Sequence, residues 1–426
     1  MQKKFETSKI NTKTLDLRCG LELYIDCYLQ NKDGSDKRKV LSKKADSFTK
    51  NFAYFLYQAM SRDCREPEPI SYNNTKRGWW RDSHVFLTVR NQGGGFSGDP
   101  SHIRLGGLSV GTSNQQVSWD DLDLAQPIAN GSGAGQLAYQ SDGDVAPSVG
   151  IETSTWAYFR SFGNNSGADI DVGEVGLFHY NDGNLYRDPI PSTSTNIANT
   201  TDTTYLLARD AFSPKITVPD GTVFTVEYRF TTQFSPATGG WLRQFNDILY
   251  RQMANRNFSA FDLTGVSRSS GRSSSNLIAG GLGGAGLMRA FESTAHHTIN
   301  ANPDFGMQGY QHGVIIGTDD NELAIDNTDM EARIYPGTGA GQMLHYGTTC
   351  HNFRETPAQL RGEWDIERMF LNKSGADITV REAGFTLLGD PLYPHLCVRD
   401  KIDPGVVVGN NEGLMVRYTF YIADEE

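Results

Sequence analysis

Gly131-Ser132-Gly133-Ala134-Gly135-Gln136-Leu137 recurs later in the chain as Gly337-Thr338-Gly339-Ala340-Gly341-Gln342-Met343, a shift of 337 − 131 = 206 residues. The flanks keep that shift. Val110-Gly111-Thr112 matches Ile316-Gly317-Thr318, Asp123-Leu124 matches Asp329-Met330, and Ile128 matches Ile334. So many ordered matches mark an internal repeat, and a repeat on this scale organises every other reading of the sequence.

Working outward, the register drifts by two. Asn165-Ser166-Gly167-Ala168-Asp169-Ile170 matches Lys373-Ser374-Gly375-Ala376-Asp377-Ile378, followed by Glu174 and Glu382. Leu206-Leu207-Ala208-Arg209-Asp210 then matches Leu396-Cys397-Val398-Arg399-Asp400 at a shift of 190, so the first copy carries 18 extra residues. These fall in the Ser/Thr/Asn-rich stretch Pro191 to Thr204, which has loop composition. Upstream, Phe48, Phe52, Phe55, Leu56 and Tyr57 share one helical face, and Trp241, Phe245, Ile248, Leu249 and Tyr250 repeat that spacing. Such stripes pack first against their own domain and second against a neighbouring subunit. Phe48, Phe52, Phe55, Trp241, Phe245 and Ile248 are therefore the candidate interface residues.

Between Gly, Pro, Asn and Asp clusters lie short alternating runs such as Val85 to Val89, Thr155 to Phe159, Val172 to Tyr180 and Glu367 to Leu371. Period-two patterning of this kind predicts antiparallel strands. The expected fold is mainly β: two tandem homologous antiparallel β-sandwich domains, each preceded by an amphipathic α-helix. The boundaries are 1–40 for an N-terminal strand and basic loop, 41–234 for copy one and 235–426 for copy two. Copy two includes a Gly/Ser-rich loop between Ala254 and Gly309. Gly20 to Tyr28 resembles the closing strands at Gly221 to Tyr228 and Gly413 to Tyr418. It either completes the sheet of an adjacent unit by edge addition or pairs within copy one.

Composition bounds the function. Of 426 residues, 38% are hydrophobic, enough for two cores, and 45 are glycine, which suits many turns. The formal net charge of −11 disfavours nucleic-acid binding, and the basic run Lys37-Arg38-Lys39 with Lys43 and Lys44 reads as a solvated loop. Five scattered cysteines without a CxxC pair indicate neither a disulfide framework nor a zinc knuckle, and fit assembly in a reducing cytoplasm. No apolar h-region follows Met1-Gln2-Lys3-Lys4-Phe5, and no run is long enough to span a membrane.

Possible reactive groups have plainer explanations. Gly281, Gly283 and Gly286 spell GxGxxG outside any strand–helix unit, so a flexible loop is the better reading. His296-His297 and the set His345, Cys350 and His351 lack metal-site spacing. Asp120, Asp121 and Asp123, and Asp169, Asp171 and Glu174, are dense enough for calcium, but Asp171 becomes Thr379 in the second copy, and turn roles account for them. The doubled Arg209-Asp210 and Arg399-Asp400 suggest an internal ion pair or turn cap. No catalytic residue, cofactor or metal is expected.

The series VGT, GSGAGQL, NNSGADIDVGEVGLF and LLARDAF…ITVPDGTVFTVEYRF resembles a domain of tailed-bacteriophage virion structural, tail-fibre-like proteins. The resemblance covers roughly Val85 to Phe230 and Val314 to Phe420. In the second copy Gly409-Asn410-Asn411 replaces the Pro-Asp-Gly turn, and Arg381 replaces a small residue. The resemblance implies a non-enzymatic component of the virion, assembled in the bacterial host cytoplasm. It would make symmetric contacts in the neck, tail, baseplate or capsid decoration, with other virion proteins and copies of itself as partners, and without nucleic acid or membrane. The alternative is an adhesin for a host-surface glycan, with Trp79-Trp80 stacking on sugars.

Overall fold

A computed structural model describes residues 11–45, 48–61, 107–181, 203–254, 259–261, 263, 267–269, 313–388 and 394–422. The chain is mainly β. It opens with β1 (Thr12–Asn31), β2 (Arg38–Lys44), α1 (Lys50–Ser61) and β3 (Gly107–Gly111). Next come β4 (Ala138–Val149), β5 (Thr153–Gly163), β6 (Ile170–Asn181), β7 (Thr203–Val218) and β8 (Thr222–Ser235). β9 (Gly239–Trp241) leads into α2 (Arg243–Ala254), followed by β10 (Ser259–Phe261), β11 (Ser267–Ser269) and β12 (Gly313–Gly317). β13 (Met343–Thr356), β14 (Arg361–Asn372), β15 (Ile378–Leu388), β16 (Pro394–Val408) and β17 (Gly413–Ile422) complete the order.

One 12-stranded sheet runs β12-β15-β16-β9-β8-β1-β17-β14-β13, with β2 joined to β1 and the β4–β5 pair joined to β8. A second sheet, β3-β6-β7, faces it, and β10 and β11 form a small hairpin. The pairing pattern of residues 107–235 recurs in 313–422. β3 pairs with β6 from Gly107↔Phe178 to Gly111↔Glu174, and β12 pairs with β15 from Gly313↔Thr386 to Gly317↔Glu382. β5 pairs with β8 through Trp156↔Phe230, and β14 with β17 through Trp364↔Phe420. Inward-facing residues at alternate positions make up the core, including Tyr158, Phe162, Phe224, Val226 and Tyr228 early in the chain and Ile366, Phe370, Leu414, Val416 and Tyr418 late.

β1 ties these two sets together. Its odd-numbered residues from Cys19 to Leu29 are all buried, which fixes one face against the core along most of its length. Residues Leu21 to Asn31 pair antiparallel with β8, whereas Thr12 to Leu21 pair parallel with β17. Leu21 is the meeting point, opposite both Thr232 and Ile422. Within Gly20 to Tyr28, Leu21 to Tyr28 pair with β8, while Gly20 and Leu21 end the parallel run that Thr12 begins beside β17, the strand that closes the chain order. Among the described residues no helix is long and apolar enough to cross a membrane, and no disulfide joins the described cysteines.

Candidate functional site

The six candidate interface residues lie inside the molecule. Phe52 and Phe55 are fully buried, and Phe48, Trp241, Phe245 and Ile248 retain no more than 4% exposure. In this conformation they are buried against the rest of their own chain. Each helix is anchored the same way at its start. Thr49 N donates to Leu207 O at 2.9 Å and Leu242 N to Cys397 O at 2.8 Å, so the residues before α1 and α2 extend the edges of β7 and β16. Phe48 then stacks on Phe52 at 4.6 Å between ring centroids, and Trp241 on Phe245 at 3.8 Å.

The outer faces of the helices cross over. Tyr54 and Tyr57 of α1 pack on Phe353 of β13 at 5.4 and 5.0 Å. The Tyr250 hydroxyl of α2 donates to Asp144 of β4 at 2.6 Å, and the Asn246 amide of α2 donates to the Ser154 carbonyl of β5 at 2.6 Å. Glu355 of β13 seals the first crossing by accepting from Tyr54 Oη and, at 2.9 Å, from Trp119 Nε1. The helices are thus clamps between the early and late strand sets.

The doubled Arg-Asp has two separate partners. Arg209, 1% exposed, donates through Nε to Glu174 Oε2 at 2.8 Å and through Nη1 to Asp121 Oδ2 at 2.7 Å. Glu174 also accepts from the backbone N–H groups of Ala125 and Gln126, at 3.0 and 2.7 Å. Arg399 repeats this with Glu382 Oε2 at 2.8 Å and with Asn327 Oδ1 at 2.9 Å where Asp121 would stand. Each glutamate needs a glycine beside it, because a Cβ on Gly111 or Gly317 would collide with Glu174 or Glu382 Oε1. That accounts for the glycine of both VGT and IGT. The neighbouring aspartates face the other way: Tyr228 Oη donates to Asp210 Oδ2 at 2.7 Å, and Lys43 Nζ lies 3.3 Å from Asp210 Oδ1. Asp400 stands against Tyr418, and burial pushes its carboxyl up to about 7.

The remaining motifs form turns. Gln136 Oε1 accepts from Gly133 N, and Gln342 Oε1 from Gly339 N, each at 3.0 Å, closing the two GxGAGQ loops on themselves. Asn164 donates to the carbonyls of Ala168 and Val218 at 2.8 Å, and Asn372 to those of Ala376 and Val408 at 2.7 Å. The aspartates weighed for calcium are engaged within the chain: Asp120 with Lys50, Asp169 with the Asp220 amide, and Asp171 with the Thr217 hydroxyl. His345 pairs across the ladder with Phe370, and His351 with Asp365, and the two are not brought together; burial holds His345 down to about 3. Among the described residues no group of three or more His, Cys, Asp or Glu could hold a metal. Trp79-Trp80, His296-His297 and the glycines of GxGxxG lie outside the described residues.

Sequence reasoning gave no such role to four of these contributors. Asn164 and Asn372 sit one residue before a recognised match and at the same shift, so extending the alignment by one position would have found them. Glu355 and Lys43 have no counterpart in the other half, and no repeat could have pointed to them. Comparison with protein-family models, with curated proteins and with solved structures finds no match.

Proposed function

We propose that the chain is a non-enzymatic structural component of a tailed-bacteriophage particle, in its neck, tail, baseplate or capsid decoration. We further infer that 41–234 and 235–426 are homologous sandwich domains, each preceded by its helix, produced by duplication of one unit. The observation that carries this reading is the reciprocity of the contacts. Side chains repeated in both halves are committed to shaping loops, as Arg209–Glu174 and Arg399–Glu382 are, or to clamping one half on the other, as α1 and α2 are. Such a chain is a preassembled pseudo-dimer. It can occupy two equivalent positions in a symmetric particle while exposing sheet edges and loops to its neighbours. The particle itself is inferred from the resemblance of the motif series to virion proteins.

The test is quantitative mass spectrometry of purified particles together with gold labelling of a tagged chain in electron micrographs. The expected result is a fixed copy number at one site on the particle. Loss of the chain from purified particles, or specific capture of a surface polysaccharide by the isolated protein with no place in the particle, would overturn the assignment.

A further inference from the structure

Among the described residues β1 is flanked on both sides only over its second half. Leu23 O accepts from Ala45 N at 2.8 Å, and Asn11 O accepts from Gly413 N at 2.9 Å. Both acceptors are odd-numbered, so in an unbroken strand they point to the same edge. That edge is taken by β2 beside Tyr24 to Leu29 and by β17 beside Thr12 to Leu21. β8 occupies the opposite edge from Leu21 onward, and the Gly20 carbonyl on that edge receives Trp241 Nε1 at 2.6 Å. Before Gly20, no strand among the described residues pairs with this second edge. The core-facing side chains mark the difference: Ile25 and Cys27 are fully buried, whereas Leu15 and Leu17 are only half-buried.

We propose that this edge is a dimer contact, in which residues 14–20 of a second copy pair with it antiparallel about a twofold axis at Leu17. In that register Asp16 stands opposite Arg18 of the second copy, twice over, and the two Leu17 side chains meet on the core face. Asp16 lies 3.3 Å from Arg417 and Arg18 3.6 Å from Glu363 of the same chain, but with side-chain exposures of 61% for Asp16 and 54% for Arg18 both charges still reach the surface. Charges on an edge strand ordinarily deter pairing. Here opposite signs two residues apart make the edge complementary to itself. Centring the pair on Asp16 or on Arg18 instead sets like charges opposite each other, so the sequence selects one register. The inference deepens the structural reading, since it names one symmetric contact, but the dimer belongs to the purified chain and is tested without particles.

Sedimentation of the full chain over a range of concentrations should give a dimer. D16R or R18D alone turns two ion pairs into two repulsions and should weaken association by about tenfold or more, and the D16R/R18D double variant should restore it. Leu17→Cys should link two chains covalently on oxidation, because residues directly opposite in a non-hydrogen-bonded antiparallel pair are within disulfide reach. A wild-type chain that stays monomeric, single reversals without effect, a double variant that fails to reassociate, or L17C that never cross-links would each overturn the dimer. None of these outcomes bears on whether the chain is found in a particle.

Discussion

Tyr57 of α1 lies edge-on to Trp364 of β14, with ring centroids 6.2 Å apart and planes at 75°. The relationship has a mate, since Tyr250 of α2 meets Trp156 of β5 at 5.5 Å and 61°. Each helix thus contributes its tyrosine to a tryptophan distant in the chain, and all four rings belong to one continuous buried cluster. The chain should therefore unfold as one cooperative unit. Trp364→Ala removes a side chain 1% exposed and should destabilise the whole protein by about 3–5 kcal/mol, as large-to-small changes in packed cores do. Denaturant curves followed by far-UV circular dichroism and by tryptophan fluorescence should coincide before and after the change. Two separated transitions would show independent halves.

A second expectation concerns the buried guanidinium. Arg209→Met leaves the Glu174 carboxyl 0% exposed with its chief partner gone, and should cost about 3–5 kcal/mol. Removing both charges, in Arg209→Met with Glu174→Leu, should recover part of the loss, because the uncompensated carboxyl is gone while the Ala125 and Gln126 N–H groups and Asp121 lose a partner. Urea titrations of wild type, both single variants and the double complete the cycle. A double variant no better than the single would assign the loss to packing instead.

How much of this was legible beforehand follows from which physics repeats. The GxGAGQ loops, the Arg–Glu pairs and the helix stripes appear twice, and each occurrence vouches for the other. The alternation of Leu21, Leu23, Ile25 and Cys27 announced a buried strand. What the residues could not convey is where a stripe finds its partner, because Phe353 and Trp364 carry no mark of belonging to α1. Side chains that suit a subunit interface suit an internal seam equally well, since both bury the same apolar area. The parallel half of β1 was hidden for a related reason: period-two patterning fixes a face but not a neighbour.

The two halves also solve one turn differently, which gives a third expectation. Gly221 has φ +80°, and its counterpart Asn411 has φ +69°, both in the left-handed region. Asn tolerates that region because its short amide can bond locally, and here Lys373 Nζ donates to Asn411 Oδ1 at 2.8 Å. Gly221→Asn should accordingly change stability little, while Gly221→Val should cost about 1–2 kcal/mol or more. Thermal melts of the two variants side by side decide it. Equal losses would mean that space, not backbone conformation, limits the position.

The fourth expectation comes from Asp400, which lies against Tyr418 of β17 and, among the described residues, has no lysine beside it as Asp210 has in Lys43. Its carboxyl titrates near 7 in the folded chain against an ordinary 3.8, burial being the cause. Between about pH 4 and pH 7 the folded state holds a proton that the unfolded chain has released, so this group's contribution to stability falls as pH rises. The slope is at most about 1.4 kcal/mol per pH unit, and above pH 7 the penalty is complete. Two other groups act in the opposite sense. His345, held near 3 chiefly by burial, takes up a proton in the unfolded chain first, and its contribution is lost as pH falls from about 6.5 to 3. Burial would raise Asp365, but hydrogen bonds from Arg354, Thr419 and Asn352 outweigh it and bring it down to about 2, so its contribution is lost only below about pH 4. The measurement is consequently a difference. The stability of Asp400→Asn minus that of wild type should be near zero at pH 4, rise steadily to pH 7 and level off above it. A difference independent of pH across that range would mean that Asp400 is already ionised in the folded core, with Tyr418 sufficing to hold its charge.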